Sequence, residues 1–385
     1  MSEIYLDNSS TTKPFPSVLD IVMKTMTEDY GNPSSLHKKG VDAESYIRKT
    51  RQILSRILKA EEREIIFTSG GTESNNMAII GAALAGKRRG SRLLYTAMEH
   101  PAVSEVMRFL EKQGFQTEAI PVDRRGSIDL KALEDMLDPD VILVSTMYVN
   151  NEIGAVVPVK ECAALIHQKA PDALYHVDAI QAFGKYRICP RQLGIDLMSA
   201  SGHKFHGPKG TGFLYVRKDA RILPLIYGGG QQAGMRSGTE NVPGIAGLGA
   251  AAEETYRDFD AKIDHLYALK ERLEAGLMRM DDVVLHGMQG REGAPHIVNA
   301  SFTGVGSEVL LHSLEDKGIF VSAGSACSTH KRNASPTMTA IGAPKEESSA
   351  AVRFSFSELN TEEEIDRTLS AISELLPVLR RYRAR

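Results

Sequence analysis

Four stretches of the 385-residue chain hold side chains whose types and spacing can do chemistry. In SASGHKFHGPKG, residues 199–210, Lys204 and Lys209 lie among small residues and two histidines, just after the apolar run DLMSA. A lysine whose pKa is lowered by burial beside other cations becomes a nucleophile able to form a Schiff base with an aldehyde; a lysine taken at random is a solvated surface group. HVDAIQ, residues 176–181, ends an apolar run on Asp178. A carboxylate there is costly unless a cation meets it; a protonated ring nitrogen would serve, as a helix cap or a buried ion pair would explain it. GGTESNN, residues 70–76, follows the run EIIFTS. Gly70 and Gly71 admit backbone amides close to an anion, Thr72 adds a hydroxyl, and a helix start adds unpaired N–H groups. A tight turn capped by Thr72 accounts for the same residues, since neither GxGxxG nor GK[ST] is present. VSAGSACSTH, residues 321–330, places Cys327 in a run of small residues, where it is either a nucleophile or filler.

An anion cradle, an acid for a ring nitrogen and a lysine for an aldehyde are together the three handles of pyridoxal phosphate, which none indicates alone. The elements that must position them are legible in the apolar pattern. EIIFTS, RLLYTA, VILVST, LYHVDA, DLMSAS and GFLYVR are runs of strand length, and DLKALEDML sets Leu130, Leu133 and Leu137 on one helical face. This alternation predicts an α/β fold with a mostly parallel sheet, whose ligands bind beyond the carboxyl ends of the strands. From about Thr255 the pattern changes. Leu266, Leu269, Leu273 and Leu277 mark a long amphipathic helix; HIVNASF, GIFVSAG and AVRFSF are strand candidates; TEEEIDRTLSAISELLPVLRRYRAR reads as a helix with acids first and bases last. The boundary is placed near residue 258, giving an arm over 1–14 that packs with the small body, a large body over 15–258 and a smaller α+β body over 259–385.

Composition narrows the partners. Formal net charge is −3, so no basic field invites nucleic acid, and a small-molecule substrate is expected. The start lacks a cationic segment followed by an apolar core, and no run approaches the ~18 apolar residues of a spanning helix, so a cytoplasmic protein without membrane contact is expected. Cys162, Cys189 and Cys327 are odd in number and widely separated, which argues against a disulfide framework and a CxxC metal site. Free thiols and no metal are expected.

In order along nearly the whole chain, YLDNSSTT, YGNPSSLH, FTSGGTESNN, MEHPAV, VNNEIG, HVDAIQ, SGHKFHGPKG, GGGQQAGMRSGTENVPG, GSAC and RFS make the sequence resemble the cysteine desulfurases of the NifS/IscS type, fold-type I pyridoxal-phosphate enzymes. The resemblance implies a large cofactor domain whose mostly parallel central sheet is flanked by helices, a small C-terminal domain and a homodimer. It implies Lys204, rather than Lys209, as the lysine joined to the cofactor, Asp178 as the partner of the pyridine nitrogen, and His100 as a ring-stacking residue that moves protons. Asn150 and Gln181 are implied near the ring hydroxyl, Gly71, Thr72, Ser201 and His203 at the phosphate, and Thr239 at the phosphate of a partner subunit. Arg353 is implied to bind the substrate carboxylate, a surface arginine at a strand edge being the alternative, and Asn8 to lie near the site.

Cys327, by the same resemblance, takes sulfur from L-cysteine as a persulfide, leaves L-alanine, and delivers the sulfur to an acceptor or iron–sulfur scaffold protein. His330 is the candidate for lowering its pKa. The sequence departs from the family's pattern at Gly71, where alanine is common, at Gln232 for glutamate, at Ser357 and Glu358 for glycine and arginine, and in KRNASPTM after the cysteine. A selenocysteine lyase, an aminotransferase of the same fold and a scaffold without turnover are the competing readings.

Overall fold

Ile65 and Phe67 point to one side of a sheet and Ile66 to the other, each into a different apolar cluster, which is the period of two that an extended chain imposes. The computed structural model describes residues 3–323 and 335–383. Its strands are β1 (Ile4–Tyr5), β2 (Ile65–Thr68), β3 (Arg92–Thr96), β4 (Gln116–Ile120), β5 (Val141–Met147), β6 (Leu174–Asp178), β7 (Leu197–Ser201) and β8 (Gly212–Val216). They are followed by β9 (Val283–His286), β10 (Ile297–Phe302), β11 (Ile319–Phe320), β12 (Ser322–Ala323) and β13 (Ala351–Ser355).

Seven strands form one sheet in the order β2-β8-β7-β6-β5-β3-β4, with β8 antiparallel to both its neighbours and the remaining pairs parallel. β5, VILVSTM, is buried at every residue, as a central strand covered on both faces must be. Helices Gly71–Gly86 and Pro101–Lys112 pack on one face through Met77, Ala78, Val103 and Leu110. The other face carries a larger cluster that includes Leu94, Val144, Val177 and Met198. β4 was not evident in the sequence, because QTEAI has one apolar face position and is largely open to solvent at the sheet edge.

The helix Phe259–Leu277 begins a separate apolar cluster in which Leu266, Leu269, Leu273 and Leu277 meet Val298, Phe302, Val352 and Phe354. Here the sheet is antiparallel, β12-β13-β10-β9. GIFVSAG, read as one strand, is two: β11 pairs in parallel with β1 and β12 pairs antiparallel with β13, the chain changing partners at Val321. Ile4 and Leu6 of the early segment lie in this cluster, so the first residues pack with the last third of the chain. Among the described residues no helix is long and apolar enough to cross a membrane.

A buried polar ladder crosses the large sheet. His176, in the middle of β6, sits between the Ser145 hydroxyl of β5, 2.8 Å from Nδ1, and the Ser199 hydroxyl of β7, 3.0 Å from Nε2. Burial pushes its pKa from 6.5 down to about 3. The native protein therefore holds this imidazole neutral while the unfolded chain protonates it near pH 6.5. Stability contributed by the neutral ring is complete above pH 6.5 and lost as the pH falls toward 3, about 2 kcal/mol being gone by pH 5. Melting temperature recorded between pH 7.5 and 5 is expected to decline accordingly; a flat profile would contradict it.

Candidate active site

Asp178 ends β6 and Ser201 ends β7, neighbouring parallel strands, so both lie at the carboxyl edge of the sheet. Immediately after β7 a single 3-10 turn, Gly202–Lys204, turns the chain and presents Lys204. Its Nζ donates to the carbonyls of Ser9, at 2.6 Å, and Ser10, at 2.8 Å, both in the early segment. The same segment is tied to the turn again where the Thr12 amide donates to the His203 carbonyl, at 2.9 Å.

The Asp178 side chain is almost wholly buried, accepting from Asn75 Nδ2 at 2.8 Å and from the Ile180 amide at 3.0 Å. Burial raises its pKa, while those two donors and the charges of His100 and Lys204 oppose the rise. A buried carboxylate of this kind favours a cationic N–H partner. His100 is the N-cap of helix Pro101–Lys112, with Nδ1 accepting from the Ala102 amide at 3.0 Å. Burial lowers its pKa, Asp178 raises it and Lys204 lowers it. The neutral ring, its Nδ1 occupied as an acceptor, carries its proton on Nε2.

The glycine turn closes the other end. Gly70 adopts φ 143° and ψ −172°, a conformation essentially confined to glycine, and starts helix Gly71–Gly86. A Cβ on Gly71 would fall 2.1 Å from Ile180 Cδ1, so in this chain the isoleucine fills the space that an alanine methyl would take. A cavity of about 490 Å³ opens here, lined by Gly71, Thr72, Ser201, His203 and Lys209, with Ser10 and Thr11 of the early segment. Burial and then the charges of Lys204 and Lys209 bring His203 down to about 4. Glu73, in the first turn of the helix, would repel an anion, but Arg236 pairs with it at 2.8 Å. Burial raises the Glu73 pKa; hydrogen bonds from Arg236 and Ser69 more than offset this and hold the carboxylate ionised.

Lys204, Asp178 and His100 are not in the lining of this cavity, nor are the remaining residues singled out in the sequence. Gln181 donates to the Ser9 carbonyl at 2.9 Å and meets His296 Nε2 at 3.2 Å. Asn150 is spent on its own turn: Oδ1 accepts from the Glu152 and Ile153 amides, and Nδ2 reaches the Met98 carbonyl and Thr337. Asn8 is buried and bonds the Tyr5 and Ser355 carbonyls and Asn360, which anchors the early segment. Thr239 is exposed. Arg353 is no edge residue: β13 lies between β12 and β10, and the guanidinium is buried against Asp7, at 2.9 Å, Ser10 Oγ and the Asn151 carbonyl. Cys327 and His330 lie outside the described residues.

Three participants escaped the sequence reading. Asn75 holds Asp178, and its signal was a poor helix former inside a helix. Asp7 engages Arg353 across 346 residues of sequence, which no local pattern discloses. Glu99, next to His100, is a buried carboxyl pushed well up by burial and then by Asp178.

An amine at the end of one strand, an acid at the end of its neighbour and a glycine turn that opens a helix define a class: pyridoxal-phosphate enzymes of fold type I. The residues fit that cofactor, with a cationic and hydroxyl-rich cradle for a phosphate, an acid for a protonated ring nitrogen and an amine whose charge acts on that acid. The chain matches the class V aminotransferases over residues 4–368 and belongs to that family. It is 41% identical to the cysteine desulfurase IscS of Methanosarcina thermophila, over 98% of this chain and 93% of the relative. It is 40% identical to a cysteine desulfurase of Nostoc, over 99% and 94% of the two chains. A solved NifS-like protein superposes with a TM-score of 0.93 at 36% identity, covering 98% of this chain and 100% of that one. SspA, solved in complex with cysteine, gives 0.81 at 30% identity, covering 94% and 100%.

Because Gly70 needs its unusual backbone, Gly70→Ala is expected to cost about 1–3 kcal/mol and to loosen cofactor binding. The added methyl would have room, with Ser201 Oγ 3.5 Å away, so the cost is conformational. Cofactor retained after dialysis and the melting temperature report it; wild-type values for both would show that the turn tolerates a side chain.

Proposed function

We propose that this chain is a pyridoxal-phosphate-dependent cysteine desulfurase, which converts L-cysteine to L-alanine and passes the sulfur to Cys327 as a persulfide for iron–sulfur cluster assembly or thiolation. The observation that carries the reading is the convergence of Lys204, Asp178 and the Gly70–Thr72 turn at one edge of the sheet, in a chain about 40% identical to cysteine desulfurases over nearly its whole length.

Bound with its phosphate at the glycine turn, the cofactor supplies an electron sink for bonds to the substrate's α-carbon. Lys204 would hold the cofactor, and with substrate bound its amine would be the group that takes a proton. Asp178, a buried carboxylate, would keep the ring nitrogen protonated, since burial strengthens the interaction. His100 has Nε2 as its exchangeable proton site, since Nδ1 is fixed by the Ala102 amide. Arg353 offers a fork for the substrate carboxylate once its pairing with Asp7 gives way. The Cys327 thiolate attacks the substrate sulfur, forming an S–S bond as the C–S bond breaks. The electron pair stays on the substrate carbon, which takes up a proton and leaves as the methyl of alanine.

A homodimer in the cytoplasm, with Thr239 reaching the partner's phosphate, is part of the same proposal. The dimer is supported by the exposed apolar residues Leu19, Met23 and Met26, spaced by four and three on helix Pro16–Thr27. The acceptor is a protein that docks at the Cys327 segment.

The deciding experiment incubates cofactor-loaded protein with L-cysteine and measures alanine, sulfide and protein-bound persulfide, beside Cys327→Ala. Alanine together with a persulfide that disappears in the variant is the expected result. Equal alanine from both proteins would remove Cys327 from the chemistry and favour the selenocysteine lyase reading, and pyruvate in place of alanine would favour β-elimination.

A further inference from the structure

Just beyond β13, a charged cluster joins the C-terminal body to the segment that carries Lys204. Glu358, one of the departures from the family's pattern, has Oε2 3.1 Å from His206 Nε2 and Oε1 3.7 Å from Lys262 Nζ. The buried Lys185, in the turn after β6, adds a second positive charge facing it. Burial raises the Glu358 pKa, but the His206 hydrogen bond and the Lys185 charge override this and hold the carboxylate ionised. His206 is fully buried, stacks on Phe15 with centroids 4.2 Å apart, and turns Nδ1 to the Lys13 carbonyl at 2.7 Å.

Both ring nitrogens of His206 thus face acceptors. A carbonyl only accepts and an ionised carboxylate only accepts, so the ring satisfies both only when each nitrogen carries a hydrogen. The backbone makes this bond consequential. His206 stands two residues after Lys204 with φ 65°, a left-handed conformation that a residue with a side chain adopts only under tertiary constraint. Its amide donates to Thr12 Oγ1 at 2.7 Å, which closes the loop onto the early segment that accepts from Lys204.

We propose that Glu358 is a positioning residue for Lys204. By holding His206 as a double donor it locks the left-handed turn, and so fixes the lysine relative to β13, the strand that bears Arg353. The inference rests on reading Lys204 as the cofactor's lysine, but not on sulfur chemistry.

The experiment compares cofactor-loaded wild type, Glu358→Gln, Glu358→Asp, His206→Asn and the double variant Glu358→Gln with His206→Asn. Glutamine keeps the shape and one acceptor but removes the charge; asparagine tolerates the left-handed turn. The first readout is the pH titration of the visible band of lysine-bound cofactor, without substrate. With its counter-charge gone, the Lys185 and Lys262 pair leaves the site more positive, so the midpoint in Glu358→Gln is expected to move down by about one unit. The second readout is turnover: kcat is expected to fall about tenfold with KM for L-cysteine unchanged within about twofold. Glu358→Asp restores part of both, and the double variant is no worse than the more affected single.

A wild-type midpoint in Glu358→Gln overturns the proposal, even if its melting temperature drops, because the residue would then be structural only. So would additive effects in the double variant. Should Glu358→Gln fail to accumulate, Glu358→Asp alone decides, by a midpoint that moves or does not. If the wild type shows the band yet makes no alanine, the desulfurase reading fails while this test stands; if there is no band at all, both fail.

Discussion

Lys204→Ala is expected, on the proposed reading, to lose the visible band of lysine-bound cofactor and at least about 10³-fold in turnover, since a nucleophile and a proton carrier would vanish together. The informative companion is Lys204→Arg. A guanidinium keeps the positive charge and can still donate to the Ser9 and Ser10 carbonyls, which now receive Nζ at 2.6 and 2.8 Å. It does not attack an aldehyde, because it stays protonated. Lys204→Arg is therefore expected to keep nearly the wild-type melting temperature while losing the band and the activity. Turnover within tenfold of wild type in the arginine variant would mean that the lysine serves only to tie down the early segment.

Asp178→Asn separates charge from shape. The amide oxygen can still accept from the Ile180 amide, while the new Nδ2, standing where an oxygen now accepts from Asn75, is matched once Asn75 turns its own amide to present Oδ1. On the proposed reading the ring nitrogen of a bound cofactor would then no longer be held protonated, and turnover is expected to fall by about 10²–10³-fold. Stability moves the other way. Burial is the largest influence on this group and disfavours its ionised form, so the cofactor-free variant is expected to melt at or above the wild-type temperature. Calorimetry of the two cofactor-free proteins, set beside kcat, checks the pair of signs. A marked loss of stability would assign Asp178 to the framework, and unimpaired turnover would separate it from the cofactor.

Much of the architecture was legible because strand-length apolar runs and helical leucine spacing report burial directly. The runs through β2, β3, β5, β6, β7 and β8 are all strands of one sheet. What escaped was set by contacts distant in sequence. β4 lies at the sheet edge and lacks an apolar signature, and the break between β11 and β12 reflects a change of pairing partner rather than a change of composition. At the site, types and order pointed to pyridoxal phosphate, and the class V family is the one that matches. The partners that tune those groups were invisible: Asn75 on Asp178, Arg236 on Glu73 and Asp7 on Arg353 each join separate segments. Asn8 and Asn150 were legible as polar residues in the right motifs, yet their amides are engaged in anchoring and turn formation.

The pairing of β1 with β11 bears on how the protein is made. Ile4 and Tyr5 find their strand partners at Ile319 and Phe320, and Asn8 finds Ser355 and Asn360. A ribosome has to deliver most of the chain before the early segment can dock. Until then the early segment has only its contacts with the large body, such as Thr12 to His203 and Ser9 to Gln181, and lacks the anchors that β11 and the residues after β13 supply. The setting of the Ser9 and Ser10 carbonyls around Lys204 is accordingly completed late, by strand and loop partners that the ribosome delivers last.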